Sequence, residues 1–187
     1  IDRPERPDRM IFDLDPDEDL PWREVVAAAF DVRAVLEGIG LPVFVKTTGG
    51  KGLHLVVPLA RRQTWSRMRD FSAAVVKALA KREPNRFTAT IAKASRKRKI
   101  FIDYLRNGRG ATAVSAYSLR ARPGLPVATP LDWSELEMLD NPATLDYRTV
   151  PERLVKLTAD PWASMADVAV TADAKKLKLL DRIGARR

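Results

Sequence analysis

The sequence predicts an α+β fold with a mixed or antiparallel central sheet and flanking helices. Alternating apolar and polar runs predict strands, and two longer stretches carry an apolar stripe of helical period. Their order along the chain is β-α-β-β-α-β-β, with a glycine-rich turn between the second and third strands. A doubly wound parallel sheet would alternate strands and helices throughout, so this order favours the mixed or antiparallel class.

The first strand is predicted at residues 10–15, where side chains alternate between two faces. Met10, Phe12 and Leu14 point one way, and Ile11, Asp13 and Asp15 point the other. The first helix is predicted over residues 21–37, with Asp19 as its cap and Pro21 in its first turn. Gly38 ends it.

Two further strands, at residues 41–46 and 53–59, flank a turn of sequence TTGGKG and predict a hairpin. A second amphipathic helix is predicted over residues 64–82 with Thr64 as its cap. Further strands are predicted at residues 99–105 and 113–121. Together these elements complete the sheet and its two main helices.

The last third of the chain is rich in proline and carries short helical patterns around residues 133–139 and 150–157. We expect it to wrap around the core. The whole chain, residues 1–187, is predicted to form a single domain. Residues 163–187 are predicted to be a C-terminal extension that ends in a mobile basic tail from Lys175.

Composition excludes several classes of protein. The 187 residues suffice for a buried core because 45% of them are apolar. The absence of cysteine excludes a disulfide scaffold and a thiolate zinc site. No apolar run is long enough to span a membrane, and the first ten residues lack the apolar core of a signal peptide. We therefore expect a cytoplasmic protein with no membrane partner.

The net charge of +9 favours a polyanionic partner such as nucleic acid. Basic residues cluster at 61–62, 81–82 and 96–99, and again from Lys175 onwards. The alternative is a solvated basic surface with no specific partner.

Asp13 and Asp15 lie on one face of the first predicted strand, close enough to repel unless a cation lies between them. Oxygen ligands suit magnesium or manganese. The alternative is that these aspartates cap the turn DPDED that ends the strand. Asp103 strengthens the metal hypothesis, because it ends the buried run IFID, where an unpaired carboxylate is costly.

If the strand of Asp103 lies beside that of Asp13, three carboxylates converge. Such a set can hold two divalent ions, as enzymes of phosphoryl transfer do. The alternative for Asp103 is a salt bridge to Arg106 or Arg98.

The turn between the second and third strands, residues 47–52, offers backbone N–H groups, hydroxyls and the ammonium of Lys51 to a phosphate. The spacing of a Walker loop is absent. The single histidine, His54, follows Gly52 in strand phase and either faces the same ligand or is structural. Arginine forks match phosphate oxygens, and candidates of this type are Arg96, Arg106, Arg109 and Arg120.

Four strings carry a resemblance to a known family: IFDLDPD, KTTGGKGLHLVVPL, KIFIDYLRNGRGATAV and YSLRARPGLPVATPLDW. In this order and spacing they resemble the polymerase domain of bacterial ligase D, the end-joining branch of the archaeo-eukaryotic primase superfamily. The resemblance runs from about residue 7 to about residue 162. It implies a primase-polymerase core with an RRM-like sheet.

The resemblance implies a template-directed nucleotidyltransferase that extends a DNA 3′ end with nucleoside triphosphates in double-strand-break repair. Such enzymes favour manganese and tend to prefer ribonucleotides. It further implies a nucleoid-associated bacterial protein, with a fused or associated ligase domain and the Ku end-binding protein as partners. Asp13, Asp15 and Asp103 match the metal-binding triad. The positions that match nucleotide-binding residues are Thr48, Lys51, Gly52, His54, Arg96, Arg106 and Arg120.

Two departures and two alternatives accompany this hypothesis. Family members carry a further segment before the first aspartate strand, and Thr48 stands where a serine is usual. One alternative is a module that binds DNA ends or nucleotide without catalysis. The other is a haloacid-dehalogenase-type phosphatase, whose opening motif FDLDGT resembles FDLDPD here, although Pro16-Asp17 replaces Gly-Thr.

Overall fold

The computed structural model describes residues 3–184 and their side chains, except those of residue 93 and residues 181–184. The strands and helices within this range are, in chain order, β1 (Arg9–Pro16), α1 (Trp22–Gly38), β2 (Phe44–Thr47), β3 (Leu53–Pro58), α2 (Trp65–Arg82), β4 (Phe87–Thr88), β5 (Ile100–Asp103), β6 (Ser118–Leu119), β7 (Val127–Ala128), β8 (Pro130–Leu131), α3 (Trp133–Met138), α4 (Thr149–Lys156) and α5 (Ala174–Gly184).

The central sheet has six strands in the order β4-β5-β1-β3-β2-β8. Strand β1 lies inside it and pairs antiparallel with both β3 and β5. Strands β4 and β5 pair in parallel, whereas β2 pairs antiparallel with β3 and β8. The predicted α+β class with a mixed central sheet is therefore confirmed. Strands β6 and β7 form a separate two-stranded sheet.

The two faces of β1 differ as the alternation predicts. Met10, Phe12 and Leu14 have no exposed surface and belong to one core cluster with the apolar stripes of α1 and α2. This burial of large apolar side chains holds the helices on one face of the sheet. The other face carries Asp13 and Asp15 and is available for a site.

The predicted strand at 113–121 is wrong except for Ser118–Leu119, which form β6. Tyr117, just before β6, has a φ of 60°, a left-handed conformation that interrupts an extended chain. Residues 111–116 therefore form a loop, and β6 pairs with β7 outside the central sheet. The short strands β4, β7 and β8 escape prediction because two residues give no alternation to recognise.

One of the two predicted helix caps is correct. The Thr64 side chain caps α2 by accepting a hydrogen bond from the backbone N–H of Arg67, as predicted. The prediction of Asp19 as the cap of α1 is wrong, because Pro21 occupies that position and makes no side-chain cap.

The described part of the basic segment from Lys175, up to Gly184, is helical. Helix α5 packs against both α1 and α2, and Leu180 is buried there. The ammonium of Lys176 donates to the carbonyls of Ile39 and Gly40, at the end of α1. Residues 185–187 of the predicted tail lie outside the described residues. Among residues 3–184, no helix combines the length and apolarity that a membrane crossing needs.

Candidate functional site

Strand register brings the three predicted acids together. Asp13 on β1 lies directly opposite Asp103 on β5, and directly opposite His54 on β3. Residues that face each other in antiparallel strands place their side chains on the same face of the sheet. Asp15 follows on that face, and one carboxylate oxygen from each acid lies within 4.8 Å of the other two. The convergence on which the metal hypothesis depends is therefore present.

These residues fit a divalent cation. Oδ1 of Asp13 is buried and has no hydrogen-bond partner within the described part of the chain. A buried, unpaired carboxylate oxygen is costly unless a ligand satisfies it. Three carboxylates offer only oxygen atoms, the donor set that magnesium and manganese prefer.

Asp17, and not Asp13 or Asp15, stabilises the turn DPDED. Its two carboxylate oxygens accept from the backbone N–H groups of Asp19 and Arg98, each at 3.1 Å. The capping role proposed as the alternative for Asp13 and Asp15 is thus filled by a neighbour. Both acids are left to face the cluster.

Arg106 joins two members of the cluster. Its Nε atom lies 3.3 Å from Oδ2 of Asp13 and 3.3 Å from Oδ2 of Asp103. The salt bridge between Asp103 and Arg106 that was considered as the alternative is therefore present. Because the same guanidinium also touches Asp13, this bridge is part of the acid cluster and does not replace it. Asp103 also accepts from the N–H of Leu105 at 2.7 Å.

The pKa values of Asp13 and Asp15 shift in opposite directions. Burial, with the charges of Asp13 and Asp103 beside it, raises the pKa of Asp15 to about 6. Burial also acts to raise the pKa of Asp13, but His54 and Arg106 outweigh it and the net shift is downward. Burial lowers the pKa of His54 despite its contact with Asp13, with 3.4 Å between Nε2 and Oδ2. At neutral pH the cluster thus carries an ionised Asp15, whose charge is unfavourable in this environment, and a neutral imidazole at His54.

Replacing Asp15 with asparagine should stabilise the metal-free protein. The raised pKa means that ionised Asp15 destabilises the fold at neutral pH, a penalty that disappears below the ordinary pKa of an aspartate. After allowance for solvent screening at this half-buried position, we expect a gain on the order of 1 kcal/mol, or about 2–4 °C in Tm. Thermal unfolding at pH 7 and at pH 3.5 measures it, with exposed Asp19→Asn as the control. A loss of stability at pH 7 would contradict this account.

The same pKa predicts how metal binding depends on pH. Below about pH 6 a proton occupies Asp15 and competes with the cation. Affinity for Mn²⁺ should therefore fall by about tenfold per pH unit below that value. Calorimetric titration with Mn²⁺ between pH 5 and pH 7.5 measures it. An affinity that stays constant over this range would be inconsistent with Asp15 as a ligand.

The turn at residues 47–52, here called the glycine loop, lies against the acids. Gly52 packs so closely on β1 that an added Cβ would lie 2.8 Å from the carbonyl oxygen of Leu14. Gly49 has a φ of +70° and lies against the side chain of Arg120. The Arg120 guanidinium donates to the carbonyl of Thr48 at 2.6 Å, and the Thr48 hydroxyl donates to Gly52 at 3.1 Å. The loop is therefore held in one conformation beside the acids.

A cleft of about 520 Å³ opens over these groups. We call it the acid cleft, and the predicted site residues that line it are Asp13, Asp15, Thr48, His54, Arg106 and Arg120. Both signs of charge face this one space, with oxygen ligands for a cation and arginine, hydroxyl and imidazole groups for phosphate.

Three candidates lie elsewhere. The Lys51 ammonium donates to the carbonyl of Glu18, and Lys51 lines a different, mostly apolar cavity on the other side of the glycine loop. The Arg96 guanidinium lies 4.0 Å from the ring centroid of Phe101, near enough to Asp15 to lower its pKa without lining the cleft. Arg109 forms a salt bridge with Glu5.

Two residues near the acids were not predicted from the sequence. Lys46 is 2% exposed on β2 and lies opposite His54. Arg122 lines the acid cleft, and its guanidinium lies over Gly50. Two features of the sequence could have indicated them. Lys46 is the one charged residue in an otherwise apolar predicted strand, and Arg122 is the second arginine in the run SLRARPG.

A mixed α+β sheet that presents three acids beside a glycine loop defines a domain of the primase-polymerase class. Comparison with protein families matches residues 1–162 to the family described as "LigD, primase-polymerase domain". The chain belongs to this family. The phosphatase alternative therefore has no support.

Individual relatives agree with this assignment. "Multifunctional non-homologous end joining protein LigD" of Pseudomonas aeruginosa is 45% identical over 179 residues, which is 95% of this chain and 21% of that protein. "Bifunctional non-homologous end joining protein LigD" of Bacillus subtilis is 30% identical over 152 residues, 81% of this chain and 25% of that protein. The chain thus spans about a fifth to a quarter of these relatives.

A solved structure has the same fold. "Polymerase Domain from Mycobacterium tuberculosis Ligase D in complex with DNA" superposes with a TM-score of 0.78 at 34% sequence identity. The match covers 88% of this chain and 56% of that one. The central sheet and the strands that carry the acids therefore belong to a known architecture.

Proposed function

We propose that the chain is a template-directed nucleotidyltransferase that adds nucleotides, preferentially ribonucleotides, to a DNA 3′ end during end joining of double-strand breaks. The observation that carries this proposal is the convergence of Asp13, Asp15 and Asp103 within 4.8 Å in a chain of the LigD primase-polymerase family. The relatives are named for non-homologous end joining, and the solved domain is in complex with DNA. The net charge of +9 is suited to such a partner.

Asp13, Asp15 and Asp103 would hold two divalent cations, Mn²⁺ or Mg²⁺. When bound, such ions lower the pKa of the attacking hydroxyl and neutralise charge on the triphosphate. The chain's own residues position that triphosphate. Arg106 and Arg120 offer guanidinium forks to its oxygens.

The glycine loop completes the phosphate site. The Thr48 hydroxyl and the backbone at Gly52 lie beside the acids, and His54 lies between the acids and β2. Lys51 and Arg96 do not line the acid cleft, and their charges would act on the phosphate only at longer range. Fixed donors of this kind stabilise charge that develops during transfer, because they need no reorganisation at that moment.

Primer extension tests the proposal directly. With Mn²⁺, labelled UTP and a primer–template with a recessed 3′ end, we expect addition to the primer that is lost in Asp103→Ala. Binding of the same DNA, measured by fluorescence anisotropy, should persist in that variant. No addition by the wild-type chain with normal DNA binding would favour the alternative of a non-catalytic DNA-end-binding module. Addition that persists in Asp103→Ala would contradict the assigned site.

The proposal also concerns partners beyond the DNA. Because the relatives are several times longer than this chain, we propose that it acts beside a ligase domain, fused or associated, and with the Ku end-binding protein at the broken end. Co-sedimentation of the chain with a DNA end in the presence and absence of Ku tests the second partner. Equal recruitment in both cases would argue against it.

A further inference from the structure

Lys46 is a buried lysine on the sheet face that carries the acids. It lies opposite His54, which in turn lies opposite Asp13, and Asp13 lies opposite Asp103. These four residues form one row across the adjacent strands β2, β3, β1 and β5. Lys46 is 2% exposed, so its charge is almost entirely removed from water.

No contact within residues 3–184 balances that charge directly. The Lys46 ammonium makes one described hydrogen bond, at 3.2 Å to the carbonyl of the adjacent Thr47, and none of the described ion pairs includes it. Burial, together with the nearby charge of Arg120, lowers the pKa of Lys46 to about 8, although the charge of Asp13 acts to raise it. A buried ammonium without an ion pair is costly. The position is therefore suited to an anion that the folded chain does not supply.

The neighbours of Lys46 indicate where such an anion would lie. Lys46 and Arg120 donate to successive carbonyls, those of Thr47 and Thr48, at the entry to the glycine loop. The charge of Arg120 acts on Lys46, and an anion near both cations would reduce their repulsion.

The cavity beside Lys46 is large enough for a phosphate group. It measures about 230 Å³ and shares Arg106, Ala113 and Val114 with the acid cleft. At about 30 Å³ per water molecule, this is room for about seven waters. That is enough for a phosphate group and its hydration, and too little for a whole nucleoside triphosphate.

The two lysines of the hairpin differ in direction. Lys51 is exposed, donates to the carbonyl of Glu18 and lines the apolar cavity near Trp22. Lys46 points to the sheet face that carries the acids. The lysine nearer the glycines in sequence is therefore the one directed away from the acid cleft.

We propose that Lys46 is a further phosphate-binding residue, at the cavity that adjoins the acid cleft, and that it contributes more to binding the triphosphate than Lys51 does. This inference rests on the proposed nucleotide-binding function. Replacing the ammonium with an apolar side chain of similar length, Lys46→Met, removes the charge and keeps most of the volume.

The test uses tripolyphosphate complexed with Mn²⁺ as the probe, with binding measured by calorimetry. We expect Lys46→Met to weaken binding at least tenfold and Lys51→Met to weaken it less than threefold. Lys77→Met, at an exposed position of α2, is the control and should bind like the wild type. Binding by Lys46→Met that equals the wild type, or that exceeds binding by Lys51→Met, would overturn the assignment.

Thermal unfolding separates a binding role from a structural one. Because Lys46→Met removes a buried charge, the ligand-free variant should have a Tm equal to or above that of the wild type. If its Tm falls instead, Lys46→Arg decides, since it keeps the charge: binding within threefold of the wild type supports the assignment, and loss of binding overturns it. Absence of binding by the wild type would refute the proposed function itself, whereas wild-type-like binding by Lys46→Met refutes only this inference.

Discussion

Replacing Asp13 with asparagine is expected to reduce nucleotide addition by on the order of 10³-fold or more, equivalent to about 4 kcal/mol of barrier. Asp13 is the centre of the row, with Asp103 on one side and His54 on the other, and one of its buried oxygens has no partner in the described chain. The amide keeps the shape of the side chain but removes the charge that attracts a cation. Single-turnover primer extension with Mn²⁺ measures the effect.

Two controls define this result. Asp19→Asn changes an exposed aspartate outside the acid cleft and should leave extension unchanged. DNA binding by Asp13→Asn should stay the same or become slightly tighter, because an anion near phosphate is removed. Extension by Asp13→Asn within tenfold of the wild type would show that the acid at this position is dispensable.

Replacing Arg120 with alanine is expected to lower kcat/KM for the nucleotide by about 100-fold, equivalent to about 3 kcal/mol, mainly through KM. The Arg120 guanidinium holds the glycine loop at the Thr48 carbonyl, and its stem fills the space beside Gly49. The variant would thus lose both the proposed phosphate contact and the support of the loop. Steady-state extension at varied UTP concentration measures it.

The control for Arg120→Ala is Arg82→Ala, an exposed arginine at the end of α2. It removes the same charge from the chain and should leave kcat/KM unchanged. A decrease in DNA affinity with no change in KM for UTP would place Arg120 on the DNA surface and contradict its assignment to the nucleotide.

Alternation along β1 made one half of the site predictable. It placed Met10, Phe12 and Leu14 in the core and Asp13 with Asp15 on the other face, and the structure confirms both faces. The position of Asp103 did not follow from the same pattern. Its strand pairs with β1 across a gap of ninety positions, and strand pairing of that range depends on the whole fold. The buried run IFID marked Asp103 as a candidate, and the resemblance to a known family supported its place beside the other two acids.

The local sequence did not predict where the side chains of the two hairpin lysines lie. Lys51 lies among the glycines and so resembled a phosphate ligand, yet its ammonium contacts the carbonyl of Glu18. Lys46 ends an apolar strand, where a lysine usually extends its charge to water. It is buried because the loop at residues 113–116 and Trp162 cover that part of the sheet. The loop could not be placed from the sequence, because Tyr117 interrupts the predicted strand at 113–121 with a positive φ.

The central claim is that Asp13, Asp15 and Asp103 jointly hold divalent cations beside the glycine loop. Anomalous diffraction from crystals grown with Mn²⁺ and a non-hydrolysable UTP analogue tests it most directly. We expect two peaks about 3.5–4 Å apart, in contact with all three carboxylates and with the triphosphate. Peaks bound only at other surface acids, or a triphosphate bound away from these carboxylates, would contradict it.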